Sequence, residues 1–325
     1  MNEIGWGIIG CGAVTEMKSG PAFYQAAGSK LVAVMRRNQQ LAKDYAQRHG
    51  VEKYYSNVDE LINDKQVDAI YIATPPSSHK EYALKVANAG KPCCVEKPMA
   101  LNYQECLEML NAFSKKQLPL FVAYYRRSLP RFKQIKQWLI EERIGHIRQI
   151  HWSFSKPPNN YDLEKRKNWR TDPSISGGGY FVDLASHGID LFQYLLGEIT
   201  HTQGISKNQQ SLYRAEDAVS ACWQFKNGIL GSGYWNFAAH ESEDHVKIIG
   251  SNGKITFSVF AETPIQLMSN GTIQSLSIDN PKHIQRYHVE DMINHLRGGG
   301  SHPSLGESAA KTNWVMDQIL CFTAI

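Results

Sequence analysis

The sequence predicts an α/β chain of two domains, a doubly wound parallel sheet followed by an α+β domain on a mostly antiparallel sheet. Three observations predict it. At 325 residues the chain exceeds the roughly 100–200 residues of a usual single core. Up to about residue 125, short β-rich runs alternate with helical ones, the pattern of parallel strands joined by crossover helices. Beyond Arg126 that rhythm stops, and strand-like runs separated by short turns take over. The expected division is 1–123 and 124–325.

In the first part, strands are expected at Gly5–Ile9, Leu31–Met35, Ala69–Ala73, Cys93–Val95 and Leu120–Ala123. Amphipathic helices are expected at Gln40–Arg48, Val58–Ile62, His79–Ala89 and Tyr103–Lys116, each closing near Gly, Asn or a basic residue. Gly20-Pro21 should interrupt the first helix after about two turns. In the second part, a helix at about Leu129–Glu142 precedes a strand at Ile147–Phe154, a Pro-containing loop and a helix from Tyr180. Only strands are expected next, at Val219–Phe225, Ile229–Phe237, His245–Gly250, Lys254–Val259 and Ile265–Met268. Lys226-Asn227-Gly228 and Ser251-Asn252-Gly253 read as hairpin turns between them, and a helix near Ala309–Phe322 closes the chain.

Charge excludes some functions. The formal charge of +4 is scattered, and the densest basic run, Lys165–Lys167, has Glu164 beside it, which is too little for a nucleic-acid footprint. No apolar run reaches the roughly 18 residues of a membrane span, and the chain opens on a strand rather than on a basic leader, so a cytoplasmic protein with no membrane partner is expected. The six cysteines lack zinc spacing and read as reduced, mostly buried residues; no metal site is expected. Trp152, Trp223 and Trp235 read as core or sheet-packing residues.

The run Gly7-Ile8-Ile9-Gly10-Cys11-Gly12-Ala13-Val14-Thr15 carries chemistry. It puts glycines where an apolar strand must turn sharply and where backbone must approach a phosphate, with amides of the following helix start facing the anion. Gly10, Gly12, Ala13 and Val14 are therefore expected to hold the pyrophosphate of a nicotinamide dinucleotide. A lone G-x-G says little; its place after the first strand and at the head of a βαβ unit strengthens it. The competing reading is a tight turn in a domain that binds no nucleotide. Thr15 stands where the fingerprint has its third glycine, a departure that bears on helix–strand packing more than on phosphate access. At the end of the second strand, an acidic residue would bond the ribose 2′-hydroxyl of NAD. Here the chain reads Val34-Met35-Arg36-Arg37-Asn38, so Arg36 and Arg37 are available to a 2′-phosphate and NADP is expected over NAD.

At the carboxyl ends of later strands lie Thr74-Pro75-Pro76, with His79 after it, and Glu96-Lys97-Pro98. Open α/β sheets bind ligands at those ends. In the second domain, Gly177-Gly178-Gly179 leads into a segment in which Asp183, His187 and Asp190 fall at i, i+4 and i+7, one polar stripe if the segment is an α-helix. A histidine on a rigid helix can accept a proton near neutral pH; the plainer reading is a satisfied core histidine.

Together these motifs resemble the glucose-fructose oxidoreductase and inositol dehydrogenase family, Gfo/Idh/MocA, over nearly the whole chain. The resemblance implies a Rossmann domain joined to an open-faced sheet domain, homodimers or homotetramers through that sheet, and NAD(P)-dependent oxidation or reduction of sugars, anhydrosugars or cyclitols. It looks most like the branch that includes 1,5-anhydrofructose reductase and dihydrodiol dehydrogenase. Carried over by residue, it makes Lys97 the cation beside the reacting oxygen, His187 the general acid/base and Asp183 a substrate-orienting carboxylate. Thr74, Pro75, His79, Glu96 and Lys97 join the cofactor set, His79 approaching the nicotinamide. Tyr125 and Arg127, after the last Rossmann strand, and Trp169 and Arg170, before the triple glycine, are expected to contact substrate.

Two other functions compete. Some relatives in this superfamily hydrolyse glycosides through transient oxidation and retain the dinucleotide; release of aglycone without net change in NADPH would identify that activity. Others bind NAD(P) as non-catalytic regulators, against which the intact Lys97, Asp183 and His187 argue.

Overall fold

The runs Ile4–Ile9, Ser29–Met35 and Ala69–Ile72 are rich in apolar and β-branched residues and nearly all buried, as strands covered on both faces must be. In the computed structural model, which describes residues 3–321, they form the centre of the first of two units. Along the chain, that unit contains β1 (Ile4–Ile9), α1 (Ala13–Met17), α2 (Gly20–Gln25), β2 (Ser29–Met35), α3 (Gln39–His49), β3 (Lys53–Tyr55), α4 (Val58–Ile62), β4 (Ala69–Ile72), α5 (His79–Asn88), β5 (Cys93–Val95), α6 (Tyr103–Lys115) and β6 (Leu120–Val122). All its strand pairs are parallel, in the order β3-β2-β1-β4-β5-β6. That is the dinucleotide-binding order, with the sequence direction reversing between β1 and β4.

The second unit begins with α7 (Pro130–Ile140), β7 (Ile147–Ser155), α8 (Asn160–Leu163) and α9 (Pro173–Ser176). One π-helical turn, Phe181–Ala185, runs into α10 (Ser186–Leu196). The strands β8 (Ile199–Lys207), β9 (Ala218–Phe225), β10 (Leu230–Asn236), β11 (Glu243–Gly250), β12 (Gly253–Phe257), β13 (Ile265–Ser269) and β14 (Thr272–Leu276) follow. The sheet order is β14-β13-β12-β11-β7-β10-β9-β8, antiparallel except for the β7–β10 pair. The chain then forms α11 (Arg286–Leu296) and α12 (Gly306–Cys321).

The first unit has two buried layers, one on each face of its sheet. Leu61, Val86 and Met109, from α4, α5 and α6, pack with Ile70 and Ile72. Phe23, Tyr45, Val289 and Met292, from α2, α3 and α11, pack with Trp6, Ile8 and Tyr71. In the second unit, burial alternates along β10, and Trp152, Phe154 and Trp235 lie on the covered face. Helix α10 lies directly on them, since a Cβ on Gly188 would sit 2.3 Å from the Trp152 ring. Each buried aromatic there stabilises the unit by roughly 1.5–3 kcal/mol. The other face is open: Leu230 and Ile205 are exposed, and His151, His201 and Leu230 border a depression of about 690 Å³.

Several expectations need correction. The first unit runs to Ser128 and takes back Pro281–Ala310, so its extent differs from a single cut after residue 123. The apolar face of α11, with Val289, Met292 and Ile293, is what docks the returning segment. The last part of the chain is therefore not strands alone, and β3, β8 and β14 are additional strands. The first helix breaks after Met17, sooner than two turns, and restarts at Gly20. Phe322, expected at the end of the last helix, lies outside the described residues. Among the described residues, no helix is long and apolar enough to cross a membrane.

Candidate active site

The glycine turn follows β1 and is built for close approach. Gly10 has φ +89°, and a Cβ there would lie 2.6 Å from Thr74 Cγ2. The Gly10 and Cys11 amides both donate to the Met35 carbonyl, at 2.9 and 3.2 Å, which ties the turn to the end of β2. Thr15 is fully buried; its hydroxyl donates to the Gly12 carbonyl at 2.8 Å and accepts from the Gly12 amide at 3.0 Å. Past the end of α1, Gly20 packs tightly between helices: its Cβ would meet the Thr15 carbonyl at 2.1 Å and the Tyr45 hydroxyl at 2.4 Å. Ala13 and Val14 occupy the first turn of α1, where amides have no intrahelical acceptor. Glu16, which would repel an anion there, is held by two Arg48 contacts of 2.8 Å; those hydrogen bonds bring its carboxyl down to about 2. Burial pushes the Cys11 thiol up to about 11, so it stays protonated.

No carboxylate closes β2. Arg36 lies 3.5 Å from the Cys11 carbonyl, Arg37 is exposed, and Asn38 caps α3 through the Leu41 amide. The next ligand positions come from β4 and β5. Thr74 and Pro75 follow β4, whose end is tied to β1 by the Ala73 amide on the Ile9 carbonyl, 2.8 Å. Glu96 and Lys97 follow β5. Glu96 is buried: its Oε1 accepts from the Tyr71 hydroxyl at 2.5 Å and from Gln285 Nε2 at 2.7 Å, and its Oε2 accepts from the Lys97 amide at 3.1 Å. Lys97 is partly exposed and is followed by a cis peptide to Pro98.

Two expected contacts in this unit have other work. His79 has no exposed surface; Nδ1 lies 3.0 Å from the Pro98 carbonyl and Nε2 2.8 Å from that of Thr74. It joins the turn after β4 to the one after β5, and burial lowers its basicity despite the two carbonyls. Arg127 is buried and donates to the Pro303 carbonyl at 2.9 Å, bracing the returning segment instead of lining an open surface. Tyr125 is partly exposed under the Arg126 guanidinium, 4.9 Å from its ring centre.

In the second unit, the triple glycine is a packing requirement. Gly177 has φ +84° and ends α9; a Cβ on Gly178 would lie 2.4 Å from Val182, and one on Gly179 2.7 Å from Ala215. The Gly179 amide donates to Glu216 Oε1 at 3.1 Å, and burial raises the carboxyl of Glu216. The chain then enters the π-helical turn that contains Asp183, so Asp183 and His187 do not share a continuous α-helical stripe. Such turns widen the helix by a residue and recur at functional sites. His187 is mostly buried, its ring edge-on to Phe260 at 5.6 Å. Asp190 departs from the expected polar stripe: it is fully buried and accepts from Thr312 at 3.3 Å.

Trp169 and Arg170 do converge on Asp183. The Arg170 guanidinium lies 4.4 Å over the Trp169 ring, and its Nε is 3.4 Å from Asp183 Oδ2. A network absent from the sequence reading holds their loop. The Tyr180 hydroxyl donates to buried Asp162 at 2.6 Å and accepts from Asn168 at 2.7 Å and from Asn159. Tyr71, Gln285, Tyr180 and Asp162 were all missed as contributors, because each acts through a partner distant in sequence and belongs to no local motif. Among the described residues, no group of three or more His, Cys, Asp or Glu side chains is placed to hold a metal.

Comparison with known proteins agrees with both units. The model of an oxidoreductase family with an NAD-binding Rossmann fold matches residues 4–124, and that of the GFO/IDH/MocA C-terminal domain matches residues 132–256. The chain is 42% identical over 323 residues, 99% of each protein, to oxidoreductase P35 of Formosa agariphila. It is 25% identical over 270 residues to the 1,5-anhydro-D-fructose reductase of Ensifer adhaerens, covering 80% of this chain and 78% of that one. A structure of levoglucosan dehydrogenase in complex with NADH and levoglucosan has the same fold, with a TM-score of 0.85 at 24% identity over 98% of this chain and 96% of that one.

Proposed function

The chain belongs to the Gfo/Idh/MocA family of oxidoreductases with an NAD-binding Rossmann domain, and on that premise we propose that it oxidises or reduces a hydroxyl or carbonyl of a sugar, anhydrosugar or cyclitol. The observation that carries the reading lies in the first unit. Lys97 leaves the end of β5, next in the sheet to β4, whose Thr74 packs on the glycine turn of β1. That puts Lys97 on the carboxyl-terminal side of the same strands as the glycine turn, which supports reading it as a cation beside a bound dinucleotide.

Gly10, Gly12, Ala13 and Val14 would hold the pyrophosphate, and Thr74, Pro75, Glu96 and Lys97 would line the same strand ends. At Gly12 a Cβ would meet nothing nearer than the Gly10 carbonyl at 3.7 Å, so the bare backbone there leaves room for that ligand. A nicotinamide dinucleotide held by these residues would supply the hydride chemistry. His187 removes the substrate hydroxyl proton in oxidation and returns it in reduction. Lys97 stabilises the alkoxide that develops as the proton leaves. Asp183, with Arg170 beside it and Trp169 beneath, orients a hydroxylated ring; Tyr125 is a further substrate contact. NADP is preferred over NAD, supported by Arg36 and Arg37 and by the lack of an acid at the end of β2. The chain assembles as a homodimer or homotetramer through its open sheet, supported by the exposed apolar residues Ile205, Leu230 and Tyr234.

A screen of aldoses, ketoses, anhydrosugars and inositols, with both dinucleotides and in both directions, tests this. Turnover of a polyol or its carbonyl form is expected, with Arg37→Ala lowering kcat/KM for NADP about tenfold while leaving NAD unchanged. A protein that turns over nothing in the panel refutes the activity. A clear NAD preference that Arg37→Ala leaves untouched refutes the cofactor assignment.

A further inference from the structure

The returning segment reaches the carboxylate beside Lys97. Buried Gln285 donates from Nε2 to Glu96 Oε1 at 2.7 Å, opposite the Tyr71 hydroxyl on the same oxygen. Gln285 is itself anchored. Its amide donates to the Lys18 carbonyl at 3.3 Å, and the neighbouring His283 Nδ1 lies 2.7 Å from the Met17 carbonyl. Those carbonyls form the break between α1 and α2, at the end of the helix that the glycine turn opens.

One detail shows that the amide group of Gln285 is there for its donor. Its Oε1 is buried with no hydrogen-bond partner among the described residues, an arrangement that costs stability wherever it occurs. A leucine of similar shape would leave no such orphan. What the glutamine adds is a third donor to a buried carboxylate that already receives the Tyr71 hydroxyl and the Lys97 amide.

We propose that Gln285 is a positioning residue: it fixes the Glu96 carboxylate, and through it the main chain at Lys97, in register with the helix that follows the glycine turn. This rests on the reading of Lys97 as the cation at the reacting oxygen. The bond works by geometry, because a rotation of Glu96 drags the Lys97 peptide that donates to its other oxygen. Displacement of a catalytic group by about 1 Å can cost up to about a hundredfold in rate.

Full-length wild-type, Gln285→Leu and Tyr71→Phe proteins, assayed with NADPH and the same carbonyl sugars, test the proposal. Fluorescence titration gives the NADPH affinity and binding stoichiometry of each. Both variants are expected to lose about tenfold in kcat while binding NADPH at full stoichiometry, with a Kd within about threefold of wild type. Wild-type kcat in folded Gln285→Leu overturns the proposal. So does a loss of rate that merely follows a loss of binding stoichiometry, the result of a packing role alone. Should Gln285→Leu not fold, Tyr71→Phe decides by the same criteria. A wild-type protein that turns over none of the sugars overturns the parent reading and this one with it, whereas wild-type-like Gln285→Leu removes only this one.

Discussion

In the first unit, the turns that carry Gly10, Thr74 and Lys97 sit at adjacent strand ends and are tied together largely through main-chain amides and carbonyls. In the second, Trp169 and Arg170 sit on a loop kept in place by hydrogen bonds among the side chains of Asn159, Asp162, Asn168 and Tyr180. Main-chain bonding survives most substitutions, so it suits a ligand with fixed parts, such as a dinucleotide. A loop held by four side chains can be rebuilt one residue at a time, which suits a substrate pocket that differs between relatives.

The sharpest way to break this comparison is at the chemistry. His187→Ala should lower kcat by two or more orders of magnitude with little change in NADPH affinity, as measured by steady-state kinetics beside fluorescence titration. Near-normal turnover would remove His187 from the proton-transfer role. Next comes the backbone of the first unit. Gly10→Ala puts a Cβ against Thr74 at a φ of +89°, so NADPH Kd should rise at least about tenfold and the melting temperature fall. Unchanged affinity would show that the turn is not the phosphate site.

A smaller effect is expected from Tyr180→Phe, which removes one hydroxyl from the loop network. Substrate KM should rise about five- to tenfold while NADPH Kd stays within about twofold, since one lost hydrogen bond to a buried carboxylate costs about 1–3 kcal/mol. Equal losses in both would erase the division of labour between the units.

The smallest effect concerns acid. Burial lowers the basicity of His79, His288 and His302 in the first unit, His302 down to about 3. Below about pH 6.5 the unfolded chain takes up protons that these buried rings refuse, so stability falls as pH drops from 6.5 toward 3. Each excluded proton contributes up to about 1.4 kcal/mol per pH unit. Calorimetry at pH 7 and pH 5 should show the melting temperature dropping; a flat response would mean that the rings are not held neutral.

Much of this was legible in the sequence because it is local. The glycine turn, E-K-P and the triple glycine are contiguous motifs, and five of the six strands of the first unit announce themselves as apolar runs whose ends fall within about two residues of those observed; β3, Lys53–Tyr55, does not. What escaped is set by distant partners. Nothing near Asp183 signals a π-turn, and an α-helical period placed Asp190 in a stripe that the core has claimed. The internal contacts of His79 and Arg127 were not legible because their partners, Pro98 and Pro303, offer main-chain carbonyls that no side-chain pattern reveals. Strand β8 is interspersed with Thr, His, Gln and Lys, and β14 is mostly exposed, so neither shows a clear apolar alternation.

Thr15 and Gly20 carry a consequence for how such chains are found. Thr15 fills the third position of the motif, while five residues along Gly20 is pressed against the Thr15 carbonyl, to which Tyr45 donates at 2.9 Å. A search that insists on glycine at three set spacings discards this protein. One that asks where a methyl group is sterically forbidden keeps it, because the constraint belongs to the volume where α1, α2 and α3 meet and not to any one letter of the motif.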